Sequence, residues 1–348
     1  MPSRAESGDR TKKGVRLADQ GYFWVGVNYT ERDGEQVVDG SQLYVEFQIP
    51  EVQTHTYPVV LIHGGGGQSL DWVSTPDGRP GWRTLLLQQS YAVYTVDRPG
   101  HGRSPVRAAT VQNGVPAPSV EAAGALFAGA HNPNHTQWPG TGLVDDPALG
   151  QLLASQSPMP DVATDHDVMR RRGVELLDRI GPAIIVTSSA GGPAGWLMAC
   201  ERPDLVRAIV ALEPLGPSGP VDLPWGLAAS PIAYDPPVED AGDLDLVTVA
   251  PANGQPGMKL QSEPPRHIPA LENLPVAIVT SDQSFASASD AGTVAFLRQA
   301  GCRHVHHIEL GELGILGNGH LMMIERNHDQ VLEVILRWLN EHAVAPQS

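Results

Sequence analysis

Six short apolar runs, separated by longer amphipathic stretches, restrict this chain to one class of architecture. The runs are YPVVLIH (57–63), YAVYTVD (91–97), PAIIVTS (182–188), VRAIVALE (206–213), PVAIVTS (275–281) and HVHHIEL (304–310). They are mostly apolar at consecutive rather than alternate positions. Strands of that kind are buried on both faces, as parallel strands covered by helices are. Between them lie WRTLLLQQS, DHDVMRRRGVELLDRI, GPAGWLMACER, AGTVAFLRQAG and DQVLEVILRWLNEH, which read as helices. The alternation predicts an α/β fold with a mostly parallel sheet and helices on both faces. Ahead of it, YFWVGVNYT (22–30) and QLYVEFQI (42–49) flank Asp39-Gly40 and predict an N-terminal antiparallel hairpin at a sheet edge.

Two segments break the alternation. Residues 104–162 are rich in Ala, Pro, Gly, His and Asn, and residues 214–270 are rich in Pro. Both leave the carboxyl end of a strand, where α/β sheets bind ligands. Structureless connections of this length are uncommon unless they are functional, so both are expected to be lid insertions. Residues 1–18 are polar and are expected to be a disordered tail, 19–342 a single domain, and 343–348 a C-terminal tail.

Charge narrows the partners. With 23 Lys+Arg against 39 Asp+Glu, the 348-residue chain carries a net charge of −16. Such a surface repels nucleic-acid phosphates and anionic lipid, and it disfavours a strongly anionic substrate. No apolar run reaches the roughly 18 residues of a membrane span. The first sixteen residues hold Arg4, Arg10, Lys12, Lys13 and Arg16 without an apolar stretch, so no secretory leader is visible. The expectation is a cytoplasmic protein, or one already trimmed for export. Two cysteines, Cys200 and Cys302, cannot make a disulfide framework and read as free buried thiols. His304, His306 and His307 invite a metal reading, but His306 and His307 must point to opposite faces of a strand. No carboxylate or cysteine joins them at ligand spacing, so neither metal nor cofactor is expected.

The chemistry concentrates in AIIVTSSAGGPAGW, where an apolar strand runs into a turn and then a helix. A nucleophile elbow needs small residues two positions either side of its serine, because strand and helix backbones pass close there. Around Ser189 those neighbours are Thr187 and Gly191, whereas around Ser188 they are Val186 and Ala190. Valine is too wide, so Ser189 is favoured, although Thr187 stands where the strict pattern has glycine. The alternative for such a serine is a helix cap. The run His63-Gly64-Gly65-Gly66-Gly67 lets main-chain N–H groups converge on one point, as a developing oxyanion requires. No Lys-Ser/Thr follows it, which excludes a phosphate loop. A second donor is expected from the N–H of Ala190. Late in the chain, Gly317-Asn318-Gly319-His320 places a histidine on a turn. Two candidate acids lie between serine and histidine, Glu213 at the end of VRAIVALE and Asp282 after PVAIVTS. Asp282-Gln283-Ser284 also suits a turn, whereas a buried Glu213 beside Pro214 demands a partner, so Glu213 is favoured. His63, Asp97 and His101 read as structural.

With these residues in place, the chain resembles the α/β-hydrolase superfamily over about residues 22–342. More narrowly, it resembles the esterase 713-like group in VVLIHGGGG, TPDGRPGW (75–82), YAVYTVDRPGHGRSP (91–105), ALEPLGP and GNGHLMMIERN. The resemblance implies an α/β-hydrolase fold, a glutamate acid after the sixth strand (here Glu213), and oxyanion donors at Gly65 and Ala190. The superfamily's usual aspartate position falls near Ser284. Where that group often has His before and Gln after the nucleophile, this chain has Ser188 and Ala190. The family also implies a homodimer, to which no residue here points.

The expected activity is hydrolysis of a neutral, hydrophobic carboxylic ester or lactone through Ser189, His320 and Glu213 and an acyl-enzyme. Phe127, Trp138, Trp225 and Tyr234 on the lid segments are expected to enclose the substrate, with Gly66 and Ser188 beside them. Acyl transfer, amide hydrolysis and hydroxynitrile cleavage are the alternatives on the same residues. A non-catalytic binding protein of the same fold is a further alternative.

Overall fold

The computed structural model describes residues 14–104, 114–250 and 257–343. Most of both expected tails, 1–13 and 344–348, therefore lies outside the described residues. The first strand, β1 (Leu17–Val25), begins within the segment read as a tail and pairs antiparallel with β4 (Leu43–Pro50). The two legs of the expected hairpin are thus present, but Asp39-Gly40 does not join them directly. A separate small hairpin intervenes, β2 (Tyr29–Arg32) with β3 (Glu35–Val38). Its turn is Asp33-Gly34, with φ of 54° and 80°. Positive φ at both central residues matches the right-handed twist of the flanking strands. Asp39 instead turns the chain into β4, its carboxylate accepting from the Ser41 N–H at 2.8 Å.

Among the described residues, the main sheet has eight strands in the order β1-β4-β6-β5-β7-β8-β11-β12. The central members are β5 (Val59–Ile62), β6 (Val93–Asp97), β7 (Ala183–Ser188), β8 (Val206–Leu212), β11 (Val276–Thr280) and β12 (Val305–Glu309). They are mutually parallel; β4 runs against them, and β1, antiparallel to β4, points the same way as they do. Each predicted apolar run supplies one of them. Consecutive residues serve opposite faces. Ile185, Ile209 and Ile278 enter one core, while Ile184, Val186, Val210 and Val279 enter the other. Each such side chain removed from water contributes about 1.5–3 kcal/mol, which makes the two-sided burial the main source of sheet stability.

Helices cover both faces. On the first lie α5 (Val162–Ile180), α6 (Gly192–Glu201) and α7 (Ser287–Gln299); on the second, α2 (Trp82–Gln88) and α8 (His328–His342). Short α1 (Leu70–Val73) precedes α2. Helices α3 (Val120–Phe127) and α4 (Pro147–Ala154) form within the first insertion and pack on the second face. The second insertion, which carries the ribbon β9 (Leu246–Val249) and β10 (Met258–Gln261), packs on the first. No helix among the described residues is long and apolar enough to cross a membrane.

Candidate active site

Strand β7 ends at Ser188, and the chain turns through Ser189 into a short 3-10 turn, Ser189–Gly191, and then α6. Ser189 takes φ of +51°, in the left-handed region that a residue with a Cβ adopts only when its surroundings impose it. The surroundings are tight: a Cβ on Gly191 would run into the His63 carbonyl, and one on Gly192 into Pro214. Thr187, the departure from glycine, is accommodated from the helix side. Its methyl lies 3.4 Å from where a Cβ on Gly195 would stand, an ordinary van der Waals distance. Ser188 is fully buried and does not line the site cavity, because as the last residue of β7 it faces the interior. The expectation that it touches substrate is corrected accordingly.

Ser189 Oγ lies 2.8 Å from His320 Nε2, and His320 Nδ1 lies 2.6 Å from Glu213 Oε2. A carboxylate only accepts, so Nδ1 carries the proton and Nε2 offers its lone pair to the serine hydroxyl. Glu213 follows β8 directly, with φ of +42° and 1% exposure. Its charge is met on every side. Oε1 accepts from the Ser281 N–H at 2.8 Å and the Ser281 hydroxyl at 2.5 Å, and Oε2 also accepts from Ser284 Oγ at 2.5 Å. Ser284, near the superfamily's usual aspartate position, thus hydrogen-bonds to the glutamate.

Asp282, the other candidate acid, has a different task. It accepts from the N–H groups of Gly317 at 2.9 Å and Asn318 at 3.1 Å, bracing the turn that carries His320. Glu325 braces the same turn from its other side. Fully buried, it accepts from Gly319 N–H at 3.0 Å, Asn318 Nδ2 at 2.7 Å and His135 Nε2 at 2.5 Å. Both glycines in the turn are needed. Gly317 has φ of +81° and abuts Thr136, while a Cβ on Gly319 would enter the His135 ring. Sequence reasoning missed Glu325 and His135. Their signal was in GNGHLMMIERN, where a glutamate buried in an apolar stretch requires a partner.

The glycine run after β5 passes against the elbow, since a Cβ on Gly64 would approach the Ser189 Cβ at 3.0 Å. His63 is fully buried, its Nδ1 2.8 Å from the Gly64 carbonyl and its Nε2 accepting from the Arg98 N–H at 3.0 Å. Burial and the Arg98 charge hold its pKa well below the usual histidine value, so it stays neutral and structural. Arg98 is 1% exposed, and its guanidinium donates to the Gly64 carbonyl at 2.9 Å and to Asp165, with a longer contact to the Ala190 carbonyl at 3.4 Å. In a trans peptide C=O and N–H point in opposite directions. Holding the Gly64 carbonyl from behind therefore turns the Gly65 N–H the other way. Arg98 went unremarked in the sequence, although it lies between Asp97 and His101. Those two are also structural. Asp97 accepts from Ser69 and Arg103, each at 2.8 Å. His101 is buried beside Arg98 and pushed down to about 2, which keeps it uncharged.

A cavity of about 250 Å³ opens onto Ser189 and His320, with Gly65, Gly66 and Ala190 on its wall. Its apolar surface comes mainly from the first insertion, including Val115, Pro116, Leu126, Phe127, Leu152 and Met159. A bridge between Val115 and Met159 ties the two ends of that insertion together. Phe127 and Phe285 approach the His320 ring, at 6.0 Å and 4.6 Å between centroids. Phe285 is another residue the sequence did not flag.

Three aromatic expectations are corrected. Trp225 and Tyr234 belong to the core on the first face, where the Tyr234 hydroxyl donates to the Trp225 carbonyl at 2.7 Å. Among the described residues, none of the second insertion lines the cavity. Trp138 is buried within the first insertion, donating to Asp146 at 2.8 Å, and it orders the insertion without reaching the cavity. Composition suggested enclosure, but these side chains found core neighbours.

A buried carboxyl lies behind Glu213. Asp290, on α7, accepts from Thr280 Oγ1 at 2.6 Å, and that hydroxyl also faces His307 Nε2 at 2.9 Å. Burial, then the Glu213 charge, raise the Asp290 pKa well above its ordinary value. His306 packs near Trp338 and His342 instead, on the other face of β12 from His307.

Comparison with known proteins agrees with the fold. A family model described as the alpha/beta hydrolase fold matches residues 57–275. A protein named probable secreted lipase phiG, from Fungal sp. (strain ATCC 74256), is 37% identical over 339 residues, spanning 92% of this chain and 89% of its own. A bacterial esterase solved at atomic resolution superposes with a TM-score of 0.66 at 22% identity, covering 99% of this chain and 100% of that one, a likeness of fold. The relative's description as secreted overturns the cytoplasmic expectation. That expectation rested only on the composition of sixteen N-terminal residues, a narrower basis than a match over most of both chains. Motif, topology and the long match to a relative agree: the chain belongs to the α/β-hydrolase family.

Proposed function

We propose that this protein is a serine hydrolase of neutral, hydrophobic carboxylic esters, lactones included. The observation that carries the reading is the continuous hydrogen-bonded series from Ser189 Oγ through His320 to Glu213, opening on an apolar cavity. Ser189 attacks the carbonyl carbon while His320 Nε2 takes its proton and then delivers it to the leaving alcohol. Glu213 fixes the imidazole tautomer and stabilises the imidazolium. The N–H groups of Gly65 and Ala190 receive the oxyanion. Water then enters by the same route and releases the acid. No step calls on a cofactor.

The relative named as a lipase supports an ester as substrate, and its description as secreted supports a working site outside the cell. The cavity wall, apolar apart from a few groups, supports an uncharged chain. The test is intact mass after a fluorophosphonate probe, on wild type and Ser189→Ala, beside turnover of nitrophenyl esters. One adduct on wild type, none on the variant and loss of turnover in a folded variant are expected. An adduct that persists in Ser189→Ala would move the nucleophile elsewhere, and neither adduct nor turnover in wild type would remove the reading.

A further inference from the structure

Among the described residues, the cavity has one carboxyl that the proposed chemistry leaves unused. Asp71, on α1, lines the wall just beyond the glycine run. Its Oδ2 fills the space that a side chain at Gly67 would take, and Gln156 Oε1 stands 2.6 Å from where a Cβ on Gly66 would be. Two polar groups from separate elements therefore flank consecutive glycines at one corner of an otherwise apolar space. Other polar side chains on the wall are engaged. Ser189 and His320 bond to each other, and Ser157 directs its N–H at 2.8 Å and its hydroxyl at 3.5 Å to the Gly66 carbonyl. Gly64 touches the nucleophile, and Gly67 is three residues further on, at most about 11 Å along an extended chain. A substrate chain of medium length spans that distance.

We infer that Asp71 determines specificity, taking a hydrogen bond from a hydroxyl carried on the acyl or the alkoxy chain of the ester. The inference rests on the serine-hydrolase reading and names its substrate class: hydroxylated rather than plain aliphatic esters. A plain chain laid along this wall strips water from the carboxyl and returns nothing, whereas a hydroxyl replaces the lost partner. Burial and the neighbouring Asp97 charge push Asp71 up to about 7, partly offset by the Gln68 backbone N–H. The group is therefore present near neutrality in both forms, able to accept from a hydroxyl or donate to one. Asp71 and Leu152 also line an adjoining hollow with Ser74, Thr75 and Gln151, which gives the corner a polar approach.

The experiment compares kcat/KM for paired substrates in wild type, Asp71→Asn and Asp71→Leu. One pair set is the nitrophenyl esters of hexanoate and octanoate against their ω-hydroxy forms. The other is hexyl acetate against the monoacetate of 1,6-hexanediol. A ratio taken within one variant does not depend on its folded fraction. In at least one set, the hydroxy-to-plain ratio is expected to fall about tenfold in Asp71→Leu, with Asp71→Asn between it and wild type. Ratios unchanged in both sets would overturn the inference while leaving the hydrolase reading intact. Failure of the hydrolase reading is distinguishable, since wild type would then turn over neither member of any pair.

Discussion

Two residues with side chains, Ser189 and Glu213, sit at the ends of neighbouring strands with positive φ. Such backbone is costly, roughly 1–3 kcal/mol per residue, and persists where packing over-determines it. Each strained position here presents its side chain to the same imidazole. Glu213→Gln is expected to lower kcat by about 10³–10⁴-fold, because the amide no longer selects the tautomer with a free Nε2. Asp282→Asn acts on the turn rather than the ring and is expected to cost tenfold or less, with a lowered melting temperature. Steady-state kinetics of the two variants side by side check the order, and the reverse order would reassign the acid. The contact of Glu213 with the imidazole was legible because a glutamate closing an apolar strand needs a partner. The bracing role of Asp282 was not, since its partners are backbone groups 35 and 36 residues away.

Among the elements, the loop after β6 carries more than its sequence suggests. Arg98 joins the Gly64 carbonyl to Asp165 on α5, and so ties the glycine run to a helix of the opposite insertion boundary. Arg98→Met leaves Asp165 buried without its cation and is expected to cost about 3–5 kcal/mol in denaturant unfolding. Adding Asp165→Leu to that variant is expected to recover part of the loss, because it removes the stranded charge. No recovery would mean that Arg98 acts through the carbonyls alone. The two insertions looked alike in composition but differ in use. Phe127→Ala is expected to alter the preference for ester chain length, whereas Tyr234→Phe is expected to leave that preference unchanged and lower stability by about 1 kcal/mol, the worth of one buried hydrogen bond. Chain-length profiles of both variants test the distinction.

For the molecule as a whole, a parallel sheet brings the ends of β5, β7 and β8 to one edge, and the chain after β12 returns there with His320. The same geometry buries Asp290 behind Glu213. Its pKa is raised in the folded protein, by burial and by the Glu213 charge, while the unfolded chain titrates near the ordinary value of about 3.9. Above that value the unfolded state gives up a proton that the folded state keeps, so this group lowers stability as pH rises until the folded carboxyl ionises too. Asp290→Asn removes the linkage. The stability of the wild type relative to Asp290→Asn is therefore expected to decline as pH rises above about 4, read from urea midpoints at a series of pH values. A constant difference would show that Asp290 ionises alike in both states.

The sequence by itself determined the strand–helix alternation, the elbow at Ser189, the glycine run and the order of serine, acid and histidine. These are local signals, written in consecutive apolar residues and in the small side chains that tight turns require. It also pointed to Glu213 through the cost of burying an unpaired charge. Only the tertiary structure decided what fills space between distant segments. It set Trp225 and Tyr234 in the core, placed Phe285 and Phe127 beside His320, and aligned Arg98 behind Gly64. It also put Glu325 beneath the histidine turn. An aromatic residue or a buried ion pair is compatible with many neighbours, and its composition does not say which. The neighbours follow from how the chain folds back over the sheet, and the contacts of Phe127, Phe285 and Arg98 join residues tens to hundreds of positions apart.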